Sequence, residues 1–479
     1  MLKEDKIKLH WDSKGSTILD EKEIAHQTIE FINPCQTSSN DSIFDLWIQK
    51  NDQVRTEEPN GRIFRADNLL LMKFLIDNGY RESFDLIYID PPYLSSSAYN
   101  STVKIKETAN NTSDYVSRPV FLDHGTDGME EYLNHIYPRL KMMKELLSVK
   151  GSLFVHLDWH ISHYVKILLD EIFSSANFIN EIVWCYGGGS GSKRHFHRKH
   201  DMILWYGKDK EYIFHPQYRP YTAGTLERGL TRVKGDKYQL HQEGALMQDW
   251  WTDINKILSP TAAENLKFPT QKPEALLKRI ILAASNQGSL VADFYAGSGT
   301  MASVSQELGR RWIICDESPI AIQTSLERLI KQGVGPFTLE EISDAYQPPA
   351  EPCFQMRQRE PSPVASYLRM KPPSIQPFNE SSALMLLIIE DYKAQESNLA
   401  SLKEDWGFKN LIDFWEVDLN YDGNIFNSEV QVLRDKKVYD DSLSTSIKLR
   451  VPLRNEYQVA IKVYDIFGDS TMQVLEWSK

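Results

Sequence analysis

Two apolar runs that end in unusual turns constrain this chain more than any other feature of its 479 residues. Asp85-Leu86-Ile87-Tyr88-Ile89 runs into Asp90-Pro91-Pro92-Tyr93, and Leu290-Val291-Ala292-Asp293-Phe294 runs into Tyr295-Ala296-Gly297-Ser298-Gly299-Thr300. Neither run alternates apolar with polar, so each is predicted to be covered on both faces. Further strands are predicted at 151–157 and 312–315, with helices at 133–147, 164–172, 276–284 and from Thr300. Strands separated by helices give a mostly parallel α/β sheet, which binds its ligands at the C-terminal ends of its strands. Both turns lie at such ends.

The chain is long enough for two or three units. Nine of its 22 prolines fall between Pro336 and Pro377, and proline removes backbone donors and restrains the residue before it. We therefore expect an N-terminal extension over 1–60, a catalytic domain over 61–335, a Pro-rich linker over 336–380 and a last domain over 381–479. In that last domain Val459, Ile461 and Val463 alternate, then a Phe467-Gly468-Asp469 turn leads to Met472-Gln473-Val474, which predicts a β-rich hairpin unit. Apolar runs are too short to span a bilayer. Four cysteines, none in a CxxC pair, and a charged Met1–Lys6 predict a reducing, cytoplasmic setting without a secretory signal.

Net charge is −12, but ten basic residues oppose four acids between Cys185 and Gly235, leaving that stretch at +6 and the remainder at −18. Such a local basic surface attracts phosphates even on an acidic body. At Asp90–Tyr93 two prolines stiffen an array of acceptors, a carboxylate and a carbonyl, beside an aromatic ring. That array suits the two N–H donors of a nucleobase amine, with Tyr93 stacking on the ring. At Gly297-Ser298-Gly299 glycines permit a tight turn and close backbone approach, and Asp316 ends the next strand 23 positions after Asp293, where an acid meets a ribose diol. Thr270-Gln271-Lys272-Pro273 and Asp67-Asn68 fit a cofactor edge and equally fit helix starts.

This ordered set resembles the amino-methyltransferases of DNA bases in their β-group order, with Asp-Pro-Pro-Tyr ahead of the glycine turn, and is similar to the modification subunits of type III restriction systems. The resemblance runs from Gly61 to Leu329 and includes Arg62–Leu69, Asp90–Tyr93, His200–Leu204, Thr270–Pro273, Ala296–Thr300 and Arg310–Asp316. It implies a class I S-adenosylmethionine-dependent methyltransferase fold: Rossmann-like, circularly permuted in motif order, with one reversed strand, for which Asp201–Tyr206 is the candidate. It implies S-adenosyl-L-methionine as cofactor and transfer to adenine N6 of a flipped base. Cytosine N4, or a non-catalytic subunit that binds cofactor and DNA, are the alternatives. Asp90, Pro91, Pro92 and Tyr93 are the implied catalytic elbow. Asp67, Asn68, Asp90, Lys272, Asp293, Phe294, Gly297, Gly299, Thr300 and Asp316 are the implied cofactor contacts. A target-recognition insertion is expected at about 185–262, with Lys193, Arg194, Arg198, Lys199, Arg228 and Arg232 on DNA phosphates. The polar segment Leu94–Gly128 is expected to close over the base. Double-stranded DNA is the implied partner, with a homodimer and a restriction or defence subunit open.

Other signals are set aside. Pro34-Cys35-Gln36 imitates a cytosine-C5 nucleophile but precedes any strand of the sheet. Asp418–Glu429 satisfies the calcium-loop spacing, yet its exit alternates like a strand and is expected to be a turn. His156, His160, His163 and Asp158 are expected to pack rather than bind metal.

Overall fold

The apolar runs are strands whose successive side chains enter opposite cores. Leu86 and Tyr88 pack with Ile63, Phe154 and Val291 on one face, and Ile87 and Ile89 pack with Phe64, Leu153, Val155 and Ala292 on the other. Helices Glu274–Ala284, Thr300–Glu307 and Pro319–Gln332 cover the first face. Helices Asn68–Leu75, Gly128–Leu146 and Ser162–Phe173 cover the second. The computed structural model describes residues 7–15, 24–34, 59–95, 98–107, 113–122, 128–188, 193–230, 240–259, 262–333, 335–344, 366–395, 398, 407–434 and 443–478.

The described sheet has eleven strands in the order Trp250–Trp251, Phe178–Cys185, His200–Gly207, Leu147–Leu157, Phe84–Ile89, Leu290–Asp293, Arg311–Asp316, Gly61–Arg65, Phe337–Asp344, Ile24–Ile32 and Phe426–Ser428. His200–Gly207 runs against both neighbours, as expected for Asp201–Tyr206. From Leu147–Leu157 across to Phe337–Asp344 every pairing is parallel. A second reversal was not expected: Ile24–Ile32 lies antiparallel to Phe337–Asp344 and parallel to Phe426–Ser428.

These pairings correct several boundaries. Within the expected N-terminal extension, residues 24–32 form a sheet strand in which buried Glu30 finds partners in Lys462 and Tyr464. The Pro-rich stretch yields three strands, Phe337–Asp344, Tyr367–Met370 and Ser374–Pro377. Pro372 and Pro373 fall between strands, and Pro377 ends one, where a missing N–H costs little. Pro348, Pro349, Pro352, Pro361 and Pro363 lie outside the described residues, as do Cys35 and Cys353. The expected 185–262 insertion is interrupted by His200–Gly207 and Trp250–Trp251, both sheet members.

The C-terminal region is β-rich. Ser382–Lys393 and Ser446–Pro452 form part of one antiparallel sheet, and Ile412–Asp418, Glu456–Asp465 and Ser470–Ser478 part of a second. Met385 and Leu387 of the first share a core with Trp415, Ile461 and Val463 of the second. The Asp418–Glu429 segment begins as a turn and ends in the strand Phe426–Ser428, with Asp418 accepting from the backbone N–H groups of Asn420 at 2.9 Å and Asn427 at 2.8 Å. Among the described residues no helix is long and apolar enough to cross a membrane, and no group of three His, Cys, Asp or Glu is arranged to hold a metal ion.

Candidate active site

Phe84–Ile89 and Leu290–Asp293 are adjacent and parallel, with Leu86 opposite Val291 and Ile87 opposite Ala292. From the first the sheet continues to Leu147–Leu157 on one side, and from the second to Arg311–Asp316 on the other. A crevice must open where the strand order diverges. The two unusual turns meet there, around a cavity of about 510 Å³. That lies within the range of roughly 300–1,000 Å³ common for small-molecule sites.

One end of the cavity is the Asp90–Tyr93 elbow. Asp90 accepts from the Tyr93 hydroxyl through one carboxylate oxygen and pairs with the Lys272 ammonium through the other. Pro91, Pro92 and Tyr93 line the same wall. Burial, followed by the charge of Asp90, pushes the Tyr93 phenol well above its ordinary value.

Another part of the wall is built by the glycine turn and the following strand. Gly297 and Gly299 take φ of +51° and +69°, which favours glycine. A Cβ on Gly299 would stand 2.6 Å from Ser325 Oγ. Gly297 N–H donates to Asp316 Oδ2 and Ser318 N–H to Asp316 Oδ1, both at 2.9 Å. Burial raises the Asp316 carboxyl to about 6 against the pull of those N–H groups. Burial, then nearby Asp67, also raises its neighbour Glu317.

The side wall begins at Asp67, which caps Asn68–Leu75 by accepting from Leu69 N–H at 2.7 Å and Leu70 N–H at 3.1 Å. Its second oxygen takes Arg139 Nη2 at 2.6 Å. Asn68 Nδ2 donates to the Phe294 carbonyl at 2.7 Å, while Asn68 Oδ1 accepts from Arg139 Nε. One buried guanidinium therefore locks the wall to the glycine strand.

The cavity thus brings together Asp67, Asn68, Asp90, Pro91, Pro92, Tyr93, Lys272, Phe294, Gly297 and Asp316. Three expected cofactor contacts do not line it. Asp293 lies behind the turn, lining a smaller recess. It accepts from Tyr295 N–H at 2.9 Å, and its carboxyl is raised by burial to about 8. Thr300 faces the same recess, where its Oγ1 accepts from Arg328 at 2.8 Å and donates to the Lys272 carbonyl at 3.3 Å. Gly299 is closed off by Ser325. A residue ending a strand of this kind points into the turn that follows, and spacing alone does not distinguish that from pointing at a ligand.

Part of the 94–128 segment forms strands. Ala98–Glu107 pairs antiparallel with Ser113–Leu122. Val120 packs with Phe268, Ile320 and Ala321, and Tyr99 and Val120 line the cavity, so this pair of strands forms part of its wall. Beside Tyr93, His156 is fully buried, with Nδ1 bonded to Tyr88 Oη at 2.9 Å and Nε2 to Asp201 at 3.2 Å. Its ring stacks with Tyr93 at 6.4 Å between centroids. Tyr186 donates to Asp201 at 2.8 Å, and Tyr186 N–H bonds the Lys199 carbonyl at 2.9 Å. The basic loop therefore leaves the sheet at the edge that carries Asp90. Lys193, Arg194 and Arg198 are exposed and Lys199 is half-buried. The side chain of Arg228 and the whole of Arg232 lie outside the described residues.

Arg139 was missed, although it left a signal, whereas His156 packs inside the protein as expected. Arg139 falls on the same stripe as Tyr132, Ile136 and Met143 of its helix, and a cation on an apolar stripe requires a buried partner.

The profile of a family described as DNA methylase matches residues 84–327, half of the chain. The chain is 26% identical over 331 residues to the type II methyltransferase M.EcaI of Enterobacter cloacae, spanning 56% of this chain and 69% of that one. It is 27% identical over 251 residues to the DNA adenine methyltransferase YhdJ of Escherichia coli K12, spanning 52% and 76%. With the type III restriction-modification enzyme EcoP15I Mod subunit of Escherichia coli it shares 29% identity over 172 residues, 34% of this chain and 26% of that subunit.

Proposed function

This chain belongs to the DNA methylase family, and on that premise we propose that it methylates N6 of an adenine turned out of double-stranded DNA, with S-adenosyl-L-methionine as donor. The observation that carries this reading is that the Asp90–Tyr93 elbow and Asp316 line one cavity together with Phe294 and Gly297.

The residues present fit the donor. Asp316 offers acceptors to ribose hydroxyls, Phe294 lines the pocket, and Gly297 leaves open backbone where a Cβ would press within 3.3 Å of Phe268. When bound, S-adenosyl-L-methionine supplies an electrophilic methyl group. Asp90 and the Pro91 carbonyl accept from the two amine N–H groups and draw the nitrogen toward a tetrahedral shape, exposing its lone pair. Tyr93 stacks on the base, and Asp90 is the acceptor in reach of the proton that the methylated nitrogen sheds. Lys272, already paired with Asp90, offsets the carboxylate's charge in that desolvated corner. Extruding the base costs a few kcal/mol, which stacking and hydrogen bonding in the pocket offset.

Adenine is favoured by the leading Asp of the tetrapeptide, the form that the adenine enzymes of this resemblance carry, and by similarity to YhdJ, whose name specifies adenine. Similarity to a Mod subunit supports work beside a restriction subunit, and a DNA substrate supports a cytoplasmic setting. Nucleoside mass spectrometry after incubating DNA with isotope-labelled S-adenosyl-L-methionine tests the reading. N6-methyladenine supports it. N4-methylcytosine replaces the base assignment, and no methylated nucleoside despite cofactor binding leaves a binding subunit.

A further inference from the structure

Phe196 is 99% exposed, more than any other large apolar side chain among the described residues. It lies in Lys193-Arg194-His195-Phe196-His197-Arg198-Lys199, one aromatic ring among basic residues. A phenyl ring left in water contributes no burial to the folded chain, and it has no use for the phosphates that its neighbours attract.

The stem of this loop is rigidly tied to the elbow. Tyr186 N–H holds the Lys199 carbonyl, the Tyr186 hydroxyl holds Asp201, and Asp201 holds His156, on which Tyr93 stacks. On the other side the Arg198 guanidinium lies 3.8 Å from the centre of the Trp159 ring, just beyond the strand adjoining Phe84–Ile89. Arg198 lies over the Trp159 ring, which stays 41% exposed, while Phe196 in the same loop is almost wholly exposed.

We propose that Phe196 is an intercalating wedge: it enters the DNA base stack beside the target as the base swings toward Tyr93, and replaces the stacking that the departing base gives up. The flanking cations bring the loop onto the backbone, and the phenyl ring supplies the apolar insert that unstacks a base step. The inference rests on the methyltransferase reading. It is a role in base extrusion, separate from cofactor binding and from chemistry at nitrogen.

The test compares wild type, Phe196→Ala and Phe196→Trp on an oligonucleotide duplex carrying the site that the protein marks in genomic DNA. A second duplex places the target adenine opposite an abasic position, where the base is already unpaired. Methyl transfer is measured on both, and 2-aminopurine fluorescence at the target reports extrusion without turnover. Phe196→Ala is expected to lose about tenfold or more in transfer and most of the fluorescence rise on the paired duplex, and to recover to within about threefold on the abasic one. Phe196→Trp should retain both signals. Equal losses on the two duplexes, or no loss on either, overturn the wedge. A wild type that neither transfers methyl nor extrudes the base overturns the methyltransferase reading and the wedge with it, whereas a wild type active alongside an equally active Phe196→Ala overturns the wedge alone.

Discussion

In the proposed reaction Asp90 is the residue on which the chemistry turns, because its two oxygens already organise Tyr93 and Lys272. Asp90→Ala should lower methyl transfer by about 100-fold or more, the scale seen when a transition-state hydrogen-bond partner is lost. Cofactor affinity, which the proposal assigns mainly to the Asp316 side, should stay within several-fold. Unchanged turnover would remove the amine contact from the mechanism. Asp316 makes a second prediction. With its carboxyl raised by burial to about 6, the ionised form that best accepts from a ribose diol is lost as pH falls through that value. Cofactor Kd, followed by calorimetry, should therefore rise below pH 6, and a flat profile would detach Asp316 from the ribose. Asp293 makes a third, about stability. Burial raises it from 3.8 to about 8, so folding takes up a proton between those values. Its stabilising contribution is full below the unfolded pKa and is lost as pH rises through 8. Asp293→Asn carries no proton to lose and should flatten the unfolding midpoint across that range; parallel curves for the two proteins would contradict the assignment. The elbow and Asp316 were legible as residue types at strand ends. That Asp293 turns away from the cavity was not, because it depends on where Tyr295 N–H points.

At the scale of elements, what could be read followed burial. Phe84–Ile89 and Leu290–Asp293 announce themselves because parallel strands buried on both faces need continuous apolar runs. Ala98–Glu107 and Ser113–Leu122 did not, because Ser, Asn and Thr residues there resemble a loop and their pairing is settled by distant partners. Arg118 is the chief of these. It is buried, donates to the Ile466 carbonyl at 2.7 Å and to Ser101 at 3.3 Å, and faces the charges of Asp413, Glu327 and Asp465. The pair of strands thus reaches from the lining residues Tyr99 and Val120 to the C-terminal β domain. Removing Arg118 leaves the Ile466 carbonyl without this donor, a loss of about 1–3 kcal/mol. Arg118→Ala should therefore raise amide exchange across 98–107 and 113–122 and speed cofactor dissociation, with transfer at saturating cofactor little altered. Exchange and dissociation rates equal to wild type would show that the cover is held by other contacts.

Across the whole molecule, the N-terminal and C-terminal regions close one structure. Phe426–Ser428 pairs with Ile24–Ile32, and Phe414 and Tyr464 share a core with Trp312 and Phe337 of the catalytic sheet. The proline count suggested a boundary because it reports where backbone donors are missing, not which strands pair across the gap. The seam is polar at its centre. Glu30 is fully buried and accepts from Lys462 Nζ at 2.8 Å and Tyr464 Oη at 2.7 Å, with Glu416 beside it. Two carboxyl groups thus face one ammonium. Burial would raise Glu30, but Lys462, Glu416 and Tyr464 outweigh it and hold Glu30 below 4.5; burial and then Glu30 push Glu416 well above 4.5. The folded pair keeps one proton on both sides of 4.5, where the unfolded pair goes from two to none. Below that value the unfolded chain binds more protons and stability rises with pH; above it the folded chain binds more and stability falls. Glu416→Gln retains a donor toward Glu30 but has no proton to lose, so the alkaline fall should disappear while the acid-side rise through Glu30 remains. Lys462→Met instead strands Glu30 and should cost about 3–5 kcal/mol, as breaking a buried ion pair does. Urea midpoints from pH 4 to 9 separate these outcomes, and an alkaline slope that persists in Glu416→Gln would show that the seam's proton resides on another group.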